Sequence, residues 1–185
     1  WTFSAWVKKQ YIGTTYLLSA NDGSTYSTLS FAGDQLRYYD YWSGSIQAEL
    51  KTNAKYRDVN GWYHIVVRYK TTESTASDRI KFYVNGVQVT SFATSSYPAN
   101  TNWDSYFNSS SQTNYINYES GGTMQDVTMS HVHFCDGYAY DASAFGSTDA
   151  TTGEWKINTS PSVSYGTNGY FILKDGNSVT DQSPN

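Results

Sequence analysis

Residues 62–69, WYHIVVRY, and 79–89, RIKFYVNGVQV, decide the class of fold. In the second stretch Ile80, Phe82 and Val84 alternate with other side chains and run straight into Asn85-Gly86, after which Val87 and Val89 resume the alternation. Both central residues of a type I′ turn need positive φ, which Asn and Gly tolerate, so the pattern reads as a two-residue β-hairpin. Trp62 to Tyr69 supplies a long antiparallel neighbour. Thr71 to Asp78, polar and without period, reads as the loop between them.

Working toward the N-terminus, Trp1, Phe3, Ala5 and Val7 share one face of an alternating stretch, with Thr2, Ser4 and Trp6 on the other. This predicts a strand with one buried face. Further strands are predicted at Tyr16 to Ala20, Thr28 to Phe31, Gln35 to Tyr39 and Ser45 to Leu50, separated by the turn-forming groups Asn21-Asp22-Gly23, Ala32-Gly33-Asp34 and Trp42-Ser43-Gly44. The spacing is that of a meander. Toward the C-terminus, residues 93–118 read as loops with one short strand at Tyr115 to Tyr118. In Met124 to Phe134, Val127, Met129, His131 and His133 have one parity, Thr128, Ser130, Val132 and Phe134 the other, and one set is expected to face the core. Asp141 to Gly146 reads as a single helical turn, with Asp141 as N-cap and Gly146 as its stop. A last strand is led by Gly166 and runs to Leu173. The whole predicts an all-β protein, a two-sheet antiparallel jelly-roll sandwich with one short helical turn, forming one domain over residues 1–185. Because Trp1 falls inside a strand, the chain is expected to be a segment of a longer polypeptide.

Composition agrees. Eighteen Tyr and six Trp bring the aromatic share to 17%, while charged residues reach only 15%, a balance that suits short strands joined by polar turns. The net charge of -4 and the scattered Lys and Arg argue against nucleic acid as a partner, since that needs clustered basic residues. No apolar run is long enough for membrane insertion by a helix. The single cysteine, Cys135, has no partner for an internal disulfide or a thiolate-rich zinc site, and reads as a small buried hydrophobe.

WTFSAWVK at residues 1–8, WYHIVV at 62–67, IKFYVNGV at 80–87 and MSHVHF at 129–134 resemble, in order, the strand motifs of the concanavalin A-like lectin and glucanase superfamily, in its laminin G-like and pentraxin-like branch. The later run through Phe145-Gly146, Gly153-Glu154-Trp155-Lys156 and Tyr165 to Tyr170 is similar to tail-associated structural proteins of tailed, particularly marine, bacteriophages. Residues 93–122 match neither pattern. The resemblance implies two antiparallel sheets face to face with loops gathered at the rims, and a virion or other extracellular location. It does not name a ligand, because one fold carries unrelated functions.

Glycosidases of this superfamily set their two carboxylates at alternate positions of one strand, so that both point into one cleft. The four glutamates are Glu49, Glu73, Glu119 and Glu154, and none has an acidic residue two positions away. The catalytic pattern is therefore missing, and the chain is expected not to be an enzyme; carboxylates converging from different strands would be the exception. His131 and His133 share strand parity, as a metal-holding pair would, but have no third ligand at strand spacing and read instead as half-buried histidines satisfied by backbone or Tyr hydroxyls. His64 reads as a core-facing residue, and no Gly-x-Ser-x-Gly elbow supports a serine nucleophile.

Binding of sugars needs flat aromatic faces together with amides, carboxylates and hydroxyls. Two stretches carry both. Tyr39, Asp40, Tyr41 and Trp42 are successive, so alternation forbids all of them from facing the core. Trp103, Asp104 and Tyr106 lie in the loop-rich region. These seven are the candidate ligand-binding residues; the alternative is that Tyr38 or Tyr39 and Trp103 merely cap the ends of the sandwich. Calcium is a candidate ion at Asn21 and Asp22 and at Asp136 and Asp141, which also read as plain turns. The expected function is a non-catalytic, lectin-like module that binds a cell-surface or extracellular polysaccharide. The alternatives are a structural module packed among other subunits of a viral particle and, more remotely, a polysaccharide-degrading glycoside hydrolase.

Overall fold

The computed structural model describes residues 1–99, 102–109, 112–118, 122, 124–176 and 178–184. Its strands, in chain order, are β1 (Thr2–Lys9), β2 (Thr15–Asn21), β3 (Tyr26–Ala32), β4 (Gln35–Trp42), β5 (Ser45–Thr52), β6 (Tyr63–Tyr69) and β7 (Ile80–Val84). There follow β8 (Val87–Gln88), β9 (Phe92–Ser96), β10 (Asn114–Ile116), β11 (Val127–Cys135), β12 (Gly146–Thr148), β13 (Trp155–Ile157) and β14 (Tyr170–Ile172). Every pairing is antiparallel. The first sheet runs β14-β11-β1-β6-β7-β8, the second β10-β2-β3-β4-β5-β9, and β12-β13 is a separate ribbon. The expected two-sheet sandwich and the meander β2 to β5 are both present.

Local chemistry explains the tight turns. Asn85 and Gly86 take φ of 49° and 80°, the left-handed pair a type I′ hairpin demands. Ser43 and Gly44 do the same at 49° and 81°, which lets β4 run on to Trp42. The outermost strands of the two sheets are short: β8 has two residues, β14 and β10 three each, and β9 five.

The core lies between the sheets. Phe3, Ala5 and Val7 of β1 meet Leu29 and Phe31 of β3, Leu36 and Tyr38 of β4, Ile65 and Val67 of β6 and Phe82 of β7, all fully buried. Each large apolar side chain in this layer contributes about 1.5–3 kcal/mol, and period-two alternation delivers them all to one side.

Alternation in β11 does not follow a single parity. Ser4 pairs with His133 and Trp6 with Ser130, so His131 and Val132 together face Ala5. His131 has φ of 49°, and this β-bulge shifts the phase of the strand. Val127 and Met129 point inward before it, Val132 and Phe134 after it. The expectation that one set faces the core is corrected: each set does so over half of the strand.

The first sheet is covered on its outer side as well. Ala142, Phe145 and Tyr165 pack onto Val66, Tyr83 and Cys135 and onto Phe171 of β14 to form a second apolar cluster. Thr2, Ser4, His64 and His133, on the face opposite the core, are thereby buried, so β1 has two buried faces rather than the one expected. Cys135 is buried and reduced, and burial pushes its thiol up to about 12, as its reading as a small hydrophobe implies.

A short 3₁₀ turn does form at Ala142–Ala144, but its ends work differently from the prediction. The Asp141 side chain makes no cap; its Oδ1 accepts a hydrogen bond from the Tyr83 hydroxyl at 2.7 Å. Gly146 opens β12, and a Cβ there would sit 2.6 Å from the Trp155 ring. It is small because Trp155 lies on it. Two further 3₁₀ turns, Ala76–Asp78 and Tyr106–Asn108, occur in segments read as loops.

Candidate functional site

In β4, Leu36, Tyr38 and Asp40 point inward, and Arg37, Tyr39 and Tyr41 point out of the sheet. The register to β5 slips between Asp40 and Tyr41, and Trp42 emerges at the rim, 42% exposed. Trp103 arrives from the loop after β9. The rings of Trp42 and Trp103 lie 4.6 Å apart at 50°, with Tyr106 edge-on to Trp42 at 6.3 Å. Asn102 and Asp104, both exposed, join these aromatics around a cleft of about 320 Å³.

Buried hydrogen bonds hold this loop. Asp40, fully buried, accepts from the Trp103 indole N–H at 2.8 Å and from the Ser27 hydroxyl at 2.7 Å. Ser27 Oγ in turn accepts the backbone N–H of Tyr106 at 3.0 Å, and Trp1 Nε1 donates to Ser105 Oγ at 2.8 Å. Desolvation raises the pKa of the Asp40 carboxyl, and the two hydrogen bonds pull the other way. The indole of Trp103 is fixed from beneath while its ring borders the cleft.

The seven candidate residues therefore separate into three groups. Trp42, Trp103, Asp104 and Tyr106 come together at the rim. Asp40 lies under the cleft instead of in it, where it cannot touch a ligand, a correction that its parity with Leu36 and Tyr38 explains. Tyr39 and Tyr41 stand on the outer face of the second sheet, stacked with Tyr26 at 5.7 and 5.1 Å. Ser27 and Ser105 were not anticipated. Ser27 has the parity of Leu29 and Phe31, and a polar residue at a core position of a strand is the signal that could have found it.

The proposed calcium ligands are dispersed and engaged by the protein's own donors. Asn21 Oδ1 accepts from Gly23 N at 2.6 Å, and Asp22 Oδ1 from Ser24 N and Thr25 N at 3.0 and 2.9 Å. These backbone bonds lower the Asp22 pKa. Asp136 Oδ2 accepts from the backbone and side-chain nitrogens of Asn168 at 3.2 and 3.1 Å, whereas Asp141 bonds Tyr83. Among the described residues no group of three or more His, Cys, Asp and Glu is gathered as a metal site would need. His131 lies in the bulge and His133 just after it, both against the ring of Phe171.

One arrangement has the look of a catalytic pair. Ser4 Oγ lies 2.9 Å from His64 Nε2, while His64 Nδ1 is 2.9 Å from Trp155 Nε1. An indole nitrogen can only donate, so Nδ1 is the unprotonated nitrogen and Nε2 carries the hydrogen, which it donates to Ser4. The histidine is thus unable to take the serine proton. Burial pushes His64 down to about 3, and the pair is a structural clamp. Two of the glutamates are paired, Glu49 with Arg37 at 2.7 Å and Glu73 with Arg68 and Lys70 at 2.9 Å each, whereas Glu154 is exposed. Glu119 lies outside the described residues.

Comparison with known families bears on this architecture. Residues 1–134 match a laminin G-type family model described as the concanavalin A-like lectin/glucanases superfamily. The chain belongs to that superfamily. The match ends just before the residues that cover the first sheet, Ala142, Phe145 and Tyr165, and before β14, which completes that sheet. Among solved structures it is similar to the native heptameric SAP-like pentraxin from Limulus polyphemus, at 16% identity and a TM-score of 0.45. The alignment covers 71% of this chain and 61% of the pentraxin chain. No curated protein matches the chain.

Proposed function

We propose that this superfamily member is a non-catalytic, glycan-binding module, displayed on a virion or another extracellular surface, and that it holds a polysaccharide at the rim cleft. The observation that carries the reading is the convergence of Trp42 and Trp103 from distant parts of the chain to 4.6 Å, beside the exposed Asn102 and Asp104. Tilted indoles offer apolar faces to sugar C–H groups, and the amide and carboxylate offer partners to hydroxyls. Because Asp40 holds Trp103 through its indole N–H, one wall of the cleft is ordered before a ligand arrives, which reduces the entropy lost on binding. The superfamily includes hydrolases as well as binding domains; here Asp40 is buried and the Ser4–His64 pair has the wrong tautomer for a base. The location rests on the similarity of the later run of sequence to phage tail-associated proteins.

The test is binding to an array of surface polysaccharides, with Trp42→Ala and Trp103→Ala as variants. Each is expected to weaken binding by about tenfold or more, equivalent to about 1.4 kcal/mol, and Trp42→Ala, at a rim position 42% exposed, is expected to change thermal unfolding little. Absence of binding to every polysaccharide, or equal binding by both variants, would refute the reading.

A further inference from the structure

The chain contains three Asn-Gly pairs, Asn60-Gly61, Asn85-Gly86 and Asn168-Gly169. Such a pair can react with itself, because the nitrogen of a Gly can approach the preceding side-chain amide through backbone angles that a Cβ would hinder. All three asparagines are exposed, so access to water does not distinguish them. Their hydrogen bonds do. The Asn85 Oδ1 accepts the His64 N–H at 2.8 Å, and the Asn85 N–H donates to the His64 carbonyl at 2.9 Å. Gly86 is fixed at φ of 80° beneath the Trp155 ring. Asn168 donates its backbone and side-chain N–H groups to Asp136 Oδ2 at 3.2 and 3.1 Å. Gly169 is buried against the carbonyl oxygens of Tyr165 and Phe134. Either asparagine must break these bonds before its side chain can turn onto the next nitrogen.

Asn60 is different. It lies in an irregular stretch just before β6, where its backbone N–H donates to Asp58 Oδ1 at 2.8 Å. Among the described residues, neither its side-chain amide nor the Gly61 N–H has a hydrogen-bond partner. We propose that Asn60 is a site of spontaneous deamidation, and that the fold restricts the reaction to this one of the three pairs. The Gly61 nitrogen attacks Asn60 Cγ; a C–N bond forms, the Cγ–Nδ2 bond breaks, and Nδ2 leaves as ammonia with the proton that Gly61 gives up. Water then opens the succinimide ring at one of its two carbonyls. Cleavage of the new Cγ–N bond yields aspartate. Cleavage of the original backbone C–N bond yields isoaspartate, with the chain rerouted through the side-chain carbon. Either product adds one negative charge to a chain of net charge -4. That charge enters the same turn as Asp58, whose backbone N–H donates to the Tyr63 hydroxyl at 3.0 Å.

The experiment holds the folded protein in warm, mildly alkaline buffer and follows all three pairs by peptide mass spectrometry, with enzymatic methylation of isoaspartyl groups as a second readout. Asn60 is expected to convert at least about tenfold faster than Asn85 or Asn168, whose reaction waits on local opening of the native structure. In urea-unfolded protein, where every pair has the same local chemistry, the three are expected to convert at similar rates. Asn60→Gln, whose ring closure would need a larger and slower-forming ring, is expected to remove most of the isoaspartyl signal from the folded protein. An Asn60 peptide that stays intact in the folded protein while the unfolded chain converts, folded Asn85 or Asn168 reacting as fast as Asn60, or an isoaspartyl signal undiminished in Asn60→Gln would overturn the proposal.

Discussion

Lowering the pH from 7 to 5 places protons on the histidines of the unfolded chain but not on His64 or His133 of the folded one. Both imidazoles are buried, and desolvation pushes each down to about 3 from an ordinary value of 6.5. Their hydrogen bonds, to Trp155 and Ser4 for His64 and to the Tyr165 hydroxyl for His133, are made by neutral rings. A folded value below the unfolded one means that the unfolded state binds more protons, so stability is complete above pH 6.5 and is lost as the pH falls through 6.5 toward 3. Between pH 7 and 5 each histidine is expected to cost about 2 kcal/mol, and the pair about 4 kcal/mol, a large share of the roughly 5–15 kcal/mol that holds a typical domain together. His131, also lowered by desolvation, acts in the same direction. Asp40, whose value is raised, opposes it only at lower pH, in the carboxylate range. Urea denaturation at pH 7, 6 and 5 measures the loss, and imidazole NMR titration assigns it. Stability that stays constant within about 1 kcal/mol over this range, or protonation of either ring above pH 5, would show that the reasoning about burial is wrong.

Trp155→Phe keeps an aromatic ring over His64 but removes the indole donor; an unpaired buried acceptor costs about 1–3 kcal/mol, measurable by urea denaturation, and His64 is expected to gain tautomeric freedom visible in its ring nitrogen shifts. Gly86→Ala is expected to destabilise by about 2 kcal/mol or more, because φ is 80° and the new methyl would stand 2.3 Å from the Trp155 ring; a thermal melt equal to wild type would contradict the placement of Trp155 on the hairpin.

Features that depend on neighbouring residues were legible from sequence. Asn85-Gly86 encodes its turn through the φ values those two residues accept, and Trp1 to Val7 encodes a core-facing stripe through alternation. The phase change in β11 was also written in the chain, since the apolar positions pass from Val127 and Met129 to Val132 and Phe134, but a single-parity reading misses it. The cover over the first sheet was not legible. Phe145 and Tyr165 are set in irregular backbone with no period to count, and the polar Ser4, His64 and His133 made the covered face look solvated. At the candidate site, alternation already implied that Tyr39 and Tyr41 part company with Asp40. The meeting of Trp42 with Trp103 depends on a contact between distant parts of the chain, and nothing local specifies that.

The brevity of β8, β9, β10 and β14 has a consequence for crowding. A bordering strand of two to five residues offers too few unpaired amides and carbonyls to seed ribbon growth from one molecule to the next. Wherever many copies are held shoulder to shoulder, each can keep its sheets to itself, leaving the tyrosine-lined face and the indole rim unobstructed by fused neighbours.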